Sequence, residues 1–335
     1  MDRHRIAGLL DSFPRSRIMV IGDIMLDEYL QGTVERISPE APIPVVNIVN
    51  TSERDVRLGG AANVFNNLVS LGGRDIFLCG VTGDDPDGRL IKDRLQAAGV
   101  DDRGLVVDPD RPTSVKTRII AHNQQVIRLD REERKPISAA CRLRLVTYIR
   151  QQLDSIDALI FSDYEKGVIT KDLLEELLPL AAQKNIIVAV DPKFSNFKYF
   201  KAATIIVPNR KEASGFVRHE ITTDRDALQA AGYILDSLGC DCVLLKMGER
   251  GMRFVDRNGA DVAIQTAAEQ VYDVTGAGDT VISTLVLART AGASWQEAAR
   301  LANIAAGIVI HYIGTSAVSA LQLKSMLLEN TFSET

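Results

Sequence analysis

Short apolar runs, too brief to be helices, alternate along this chain with stretches whose apolar residues recur every three or four positions. That alternation constrains the fold more than any other feature. Strands separated by helices imply a mainly parallel sheet wound with right-handed crossovers and covered by helices on both faces. Residues 17–24 (RIMVIGDI) read as a buried strand carrying an acid to its carboxyl end, where open α/β sheets bind ligands. After Gly59-Gly60, the residues Val64, Leu68 and Leu71 form a helical stripe that stops at Gly72-Gly73. Residues 76–79 lead through the turn-rich 82–88 into a helix with Leu90, Ile91, Leu95 and Ala98. Later pairs are 158–162 with 173–182, and 186–190 with the stretch after Pro192. Strands are predicted near 242–246, 251–255 and 261–264, then helices from near Gly276, Ser294 and Ser319. The expected class is α/β, with three layers (α/β/α).

Two segments break the rhythm. In residues 33–54, Pro39, Pro42 and Pro44 interrupt short alternating stretches that include Val45, Val46, Ile48 and Val49, a pattern suited to edge strands of a small projecting sheet. Residues 114–121 and 125–130 form a predicted hairpin around His122-Asn123-Gln124. The expected division is a core of 1–32, 55–113 and 131–335 with a β lid of 33–54 and 114–130. A chain of 335 residues accommodates one large core with such an insertion.

Composition excludes several classes. The net charge of −5 argues against a nucleic-acid surface, which needs a concentrated basic face. No apolar run approaches the roughly 18 residues of a membrane span, and the polar, charged residues 1–17 do not resemble a signal peptide, so a cytoplasmic location is expected. Cys79, Cys141, Cys240 and Cys242 lack C-x-x-C spacing and read as small core residues, with Cys240 and Cys242 sharing one face of a strand.

Chemistry concentrates in Asp273-Val274-Thr275-Gly276-Ala277-Gly278-Asp279-Thr280, which precedes the apolar helix 281–288. Small residues at a helix start let backbone N–H groups converge on an anion, aided by the positive end of the helix dipole. Two readings of Asp279 stand: a general base beside a transferring phosphoryl group, or a simple helix N-cap.

This block, with the earlier Gly59-Gly60 and Asn63, resembles the paired signatures of the ribokinase-like (PfkB) sugar kinases over nearly the whole chain. The resemblance implies that Asp279 is the base and that the amides of Gly276, Ala277 and Gly278 form the anion hole. It sets Asp27, Gly59, Gly60 and Asn63 against the sugar. Asn209-Arg210-Lys211-Glu212 matches the N-x-x-E motif, where Asn and Glu organise the phosphates of ATP and hydrated Mg²⁺. By the same resemblance Glu212 reaches the metal through water, Asp273 is a candidate K⁺ position, and Lys246, Gly248 and Asn303 belong to the nucleotide site. The two lids are expected to pack together in a homodimer.

Within that family, residues 36–46 (RISPEAPIPVV), 123–130 (NQQVIRLD), 162–167 (SDYEKG) and 271–282 (VYDVTGAGDTVI) look like heptose 7-phosphate kinases. Such enzymes transfer the γ-phosphoryl group of ATP to the anomeric hydroxyl of D-glycero-D-manno-heptose 7-phosphate, for ADP-heptose and lipopolysaccharide core precursors. Gln125 and Asp163 lie in these blocks as expected sugar contacts. Arg128, Lys166 and Lys193 are candidates to hold the 7-phosphate, each also readable as an exposed salt-bridge residue. Two departures are visible. No His-x-Gly-His nucleotidyltransferase motif follows Ser319, so adenylyl transfer is expected from another chain, and Lys246 stands where many relatives have a small hydroxyl residue. Lys246 then touches a phosphate or points to solvent. Rival readings are a PfkB kinase of another sugar, such as ribose, fructose or a keto-deoxy acid, and a non-catalytic sugar- or nucleotide-binding regulator.

Overall fold

The computed structural model describes residues 3–48, 55–122, 124–267, 272–312 and 314–330. Val49 and residues 50–54 of the expected lid, Asn123 of the hairpin turn and Val271 of the Gly-rich block lie outside them. In chain order the elements are α1 (Arg3–Ser12), β1 (Arg17–Gly22), β2 (Ile24–Ile37), β3 (Pro44–Asn47), β4 (Asp55–Gly60), α2 (Ala61–Ser70), β5 (Asp75–Gly83) and α3 (Pro86–Ala97). Then come β6 (Leu105–Asp108), β7 (Ser114–Ala121), β8 (Gln124–Arg131), α4 (Ala139–Gln152), β9 (Ala158–Ser162), α5 (Lys171–Gln183), β10 (Ile187–Asp191), β11 (Ile205–Ile206), α6 (Arg210–Val217) and α7 (Asp224–Leu238). The chain closes with β12 (Cys242–Lys246), β13 (Met252–Asp256), β14 (Asp261–Ile264), α8 (Ala277–Thr290), α9 (Trp295–Val309) and α10 (Ala320–Asn330).

Nine strands form one sheet in the order β14-β13-β12-β11-β10-β9-β1-β5-β6. Its β12–β13 and β13–β14 pairs are antiparallel; the others are parallel. Alternate residues of each inner strand enter opposite cores. Ile18 and Val20 of β1, with Ala158 and Ile160 of β9, pack on the side of α2, α8 and α9. Met19, Ile21, Leu159 and Phe161 pack against α4, α5 and α7. Burial on both faces is why these strands read as continuous apolar runs rather than alternating ones. It also corrects the expectation for two cysteines. Cys242 opens β12 and belongs to the first core, whereas Cys240 precedes the strand, just after the left-handed turn at Gly239, and belongs to the second.

A second, five-stranded sheet has the order β3-β2-β7-β8, with β4 also paired to β2. The expected boundary at Thr33 is no break in structure. The 14-residue β2 runs through it, buried in its first half and largely exposed in its second, and pairs β4 from Tyr29 back to Ile24. Ile24 and the strand β4, assigned above to the core, are thus part of the small sheet. One continuous strand couples that sheet to the large one, because only Asp23 separates β1 from β2.

Adjacent carboxyl ends of the large sheet bring charged residues together. Gly22 and Asp191 both pair with Ser162 in register. Asp23, Asp163 and Asp191 therefore lie side by side at the ends of β1, β9 and β10. Gly22 is required there, since a Cβ would come within 2.0 Å of the Ser162 carbonyl oxygen.

Candidate active site

Asp279 lies in the first turn of α8, 2% exposed. It is not the N-cap; that place is taken by Gly276, whose φ of 81° is left-handed and which provides no side-chain cap. Thr280 N–H makes the first helical bond, to Gly276 O at 3.0 Å, and Ala277 N–H is turned to Val274 O at 3.2 Å. Among the described residues this leaves the amides of Gly276, Gly278 and Asp279, not that of Ala277, without a protein acceptor at the positive end of the helix.

Two donors hold the Asp279 carboxylate. Asn63 Nδ2 donates to Oδ2 at 2.7 Å, and the Tyr164 hydroxyl donates to Oδ1 at 2.6 Å. Burial pushes the carboxyl up to about 6; the bonds from Tyr164 and Asn63 limit the rise, and the charge of Asp191 adds to it. A carboxylate titrating there suits general-base work near neutral pH. Asn63 thus orients the Asp279 carboxylate, and it is itself fixed by Asn67, whose amide donates to Asn63 O at 2.9 Å. Thr280 Oγ1 closes this ladder between α2 and α8 on Asn67 Oδ1 at 2.8 Å.

On one side of Asp279 opens a cleft of about 670 Å³. Its lining includes apolar Met247, Ala306, Gly307 and Ile310 together with Asp191, Lys193, Asn209, Lys246 and Gly278. Arg210, Gly248 and Asn303 also line it, as expected of nucleotide contacts, whereas Lys211 is exposed and does not. Asn303 is held by its amide donating to Gln265 O at 2.8 Å. Asn209 and Glu212 form a reciprocal capping box at the start of α6, with bonds of 2.9 and 2.8 Å. The second Glu212 oxygen holds Lys193. The ambiguity over Lys246 resolves. Its ammonium bonds Asp191 Oδ1 at 2.7 Å and faces the free amide end of α8, where a Cβ on Gly278 would meet it at 3.2 Å.

On the other side lie Asp27 and Gly59. Asp27 Oδ1 pairs with Arg118 at 2.5 Å, and a Cβ on Gly59 would come within 2.3 Å of Asp27 Oδ2, so any side chain at 59 would collide with this buried acid. Gly60, with φ 59°, turns β4 into α2 and lies against the Asp23 carbonyl.

Several expected sugar contacts go elsewhere. Lys193 lines the cleft beside Asp279 instead, because β10 ends between β9 and β11 and its following turn faces α6. Burial opposes its charge, but Asp191 and Glu212 hold it protonated above the usual lysine range. Asp163 is fully buried and accepts from Glu165 N at 2.9 Å, Asn196 Nδ2 at 3.1 Å and Lys193 N at 3.3 Å. Burial and the neighbouring Asp23 push it up to about 7; it braces two loops rather than touching a sugar. Lys166 is buried on Glu132 at 2.8 Å. Gln125 and Arg128 lie on the wholly exposed β8, Arg128 paired with Asp130 at 2.8 Å. Asp273 accepts from Thr275 N, Thr275 Oγ1 and Gly314 N at 2.9, 2.7 and 2.8 Å, tying the Gly-rich turn to residue 314. Burial raises its pKa, but those donors outweigh it and the net direction is down.

Three residues escaped sequence reading. Tyr164 bonds Asp279. Asp23 accepts from the amides of Tyr164, Lys166 and Val168 at 2.8, 3.1 and 3.1 Å, which places Tyr164. Lys116, on β7, has its ammonium 5.9 Å from the Tyr164 ring centroid. The acid ending the first strand was a visible signal for Asp23; Tyr164 lay in a quoted motif without a role, and Lys116 had no signal.

Comparison with known proteins agrees with this geometry. The chain is 42% identical over 326 residues to the bifunctional protein HldE of Pelobacter propionicus, covering 96% of the chain and 65% of that protein. It is 44% identical over 319 residues to that of Geotalea uraniireducens, covering 95% and 64%. The chain thus spans just under two thirds of the curated relatives it matches. Among solved structures, phosphofructokinase-2 from Escherichia coli in complex with substrates and products superposes with a TM-score of 0.76 at 18% identity, covering 94% of this chain and 99% of that one. A ribokinase from Thermotoga maritima gives 0.71 at 21%, covering 93% and 99%. These two show a shared fold. Residues 15–321 match the family described as pfkB family carbohydrate kinase. Because that match takes in both sides of the site, from β1 to the start of α10, the chain belongs to the PfkB family of carbohydrate kinases and is a sugar kinase.

Proposed function

We propose that this kinase transfers the γ-phosphoryl group of ATP to the anomeric hydroxyl of D-glycero-D-manno-heptose 7-phosphate, giving the 1,7-bisphosphate and ADP. The observation that carries the kinase chemistry is the buried Asp279, held by Asn63 and Tyr164 beside a cleft lined by Tyr164, Lys193, Lys246 and Gly278. The choice of sugar rests on the blocks at 36–46 and 123–130 and on the 40–44% identity to proteins named HldE. Asp279 takes the hydroxyl proton as the oxygen bonds the γ-phosphorus and the bond to the β-phosphate oxygen breaks, releasing ADP. Gly278 and Asp279 amides, with Lys246, face the charge that develops.

The cleft fits a nucleotide, since its lining offers apolar residues for a base and the ammonium groups of Lys193 and Lys246 for phosphates. Bound Mg²⁺ would supply charge neutralisation for the phosphates, and because this ion keeps several waters few carboxylates would suffice to hold it. Asp191 and Glu212 are the acids beside these two lysines, each now occupied by one, and Glu212 would reach the ion through water. Asp273, with its three donors, remains the proposed K⁺ position. The protein acts in the cytoplasm, and no helix among the described residues is long and apolar enough to cross a membrane. Exposed Ile37, Ile43, Ile127 and Leu129 mark the small sheet as a homodimer face, the lid of each subunit covering the other.

The test is ADP release with a sugar panel. Heptose 7-phosphate should show the highest kcat/KM; ribose, fructose or fructose 6-phosphate outrunning it would overturn the assignment.

A further inference from the structure

Apart from the exposed Arg210 and Lys211, the cations assigned so far to the site each have a carboxylate. Arg118 holds Asp27 at 2.5 Å, Arg128 holds Asp130 at 2.8 Å, Lys166 holds Glu132 at 2.8 Å, Lys246 holds Asp191 at 2.7 Å, and Lys193 holds Glu212. Lys116 differs. It makes no ion pair among the described residues, although it is only partly exposed. It stands opposite Asp27 in the parallel β2–β7 register, and its ammonium approaches the ring of Tyr164, whose hydroxyl is on Asp279. Asp27 and Asp130, the nearest acids, are already committed to guanidinium groups. Burial, then the charge of Lys166, push the Lys116 pKa down.

We propose that Lys116 binds the distal phosphate of the sugar and so selects a phosphorylated sugar over the free one, an inference that rests on the sugar-phosphate reading above. A cation half removed from water without a counter-charge costs free energy that an anionic ligand returns. The hydroxyls of a neutral sugar supply no charge. The nucleotide phosphates have cations of their own in Lys193 and Lys246, and Lys116 is not among the residues lining their cleft. Lys116 therefore takes the role that sequence alone offered to Arg128, Lys166 and Lys193.

The experiment compares kcat/KM for one sugar with and without its phosphate in the wild type, K116M and K116R, alongside thermal unfolding with the sugar phosphate or ATP added. K116M should lower the preference for the phosphorylated form about 10- to 100-fold, mostly through KM, and K116R should recover part of it. The sugar phosphate should no longer raise the Tm of K116M, while ATP still does. Equal losses on both sugars, or a loss confined to kcat or to KM for ATP, would overturn the assignment. If K116M does not fold, Lys116→Gln carries the same comparison. The ratio is read with whichever sugar phosphate the wild type accepts, so a wrong choice of heptose would sink the proposed function without deciding this inference.

Discussion

Replacing Asp279 by Asn removes the charge and keeps the shape, and the surroundings permit it. The oxygen of the introduced amide can accept from Asn63, while its nitrogen donates to Tyr164, whose hydroxyl rotates to become the acceptor. The fold should survive and the base should be lost. We expect kcat to fall by roughly 10²-fold or more with ATP binding unchanged. Stability should move the other way. A carboxyl raised from 3.8 to about 6 binds more protons folded than unfolded, so its contribution is present at low pH and lost as pH rises from about 4 through 6. Above that window the buried charge costs up to about 3 kcal/mol, at 1.36 kcal/mol per pH unit. Asp279→Asn should therefore raise Tm at pH 8 and lose that advantage near pH 4. Coupled ADP release and thermal unfolding at both pH values test this together. Near-normal turnover would refute the base, and a variant less stable than wild type at pH 8 would refute the burial cost.

Tyr164→Phe removes a donor to the carboxylate, so the acid limb of kcat/KM should move up from near pH 6 by about one pH unit, with kcat several-fold lower; an unmoved limb would mean the bond does not reach the reacting state. Lys246→Ala should raise KM for ATP about tenfold while leaving KM for the sugar little changed, as steady-state kinetics will show. Ile127→Asp, on the exposed face of β8, should convert the proposed dimer to monomer by light scattering with weaker sugar binding; a wild type already monomeric at micromolar concentration would sink the lid pairing.

Features held by local chemistry were legible beforehand. The glycines of the turn before α8, the N-x-x-E capping box and the apolar strands all depend on residues near one another in the chain, and each appears where its local pattern places it. Roles set by long-range pairing were not legible. Lys193 and Lys116 both lie at strands, and only the order β12-β11-β10-β9 and the parallel pairing of β2 with β7 put Lys193 in the cleft with Lys246 and Lys116 opposite Asp27. Asp163 misled for a related reason. Its motif marks a loop near the site, but hydrogen bonds to Glu165, Lys193 and Asn196 use its carboxylate to build that loop. Continuity of β2 across Thr33 was hidden because the proline-rich residues that follow drew the start of the small sheet too late in the chain.

Phosphorus NMR of a reaction containing ATP, Mg²⁺ and D-glycero-D-manno-heptose 7-phosphate tests the central claim most directly, because it reads the bond that forms. The wild type should produce a new phosphate resonance coupled to the anomeric proton, with ADP appearing in equal amount, and Asp279→Asn should produce neither at a measurable rate. ADP without a new sugar phosphate, or phosphate placed on another hydroxyl, would contradict the account.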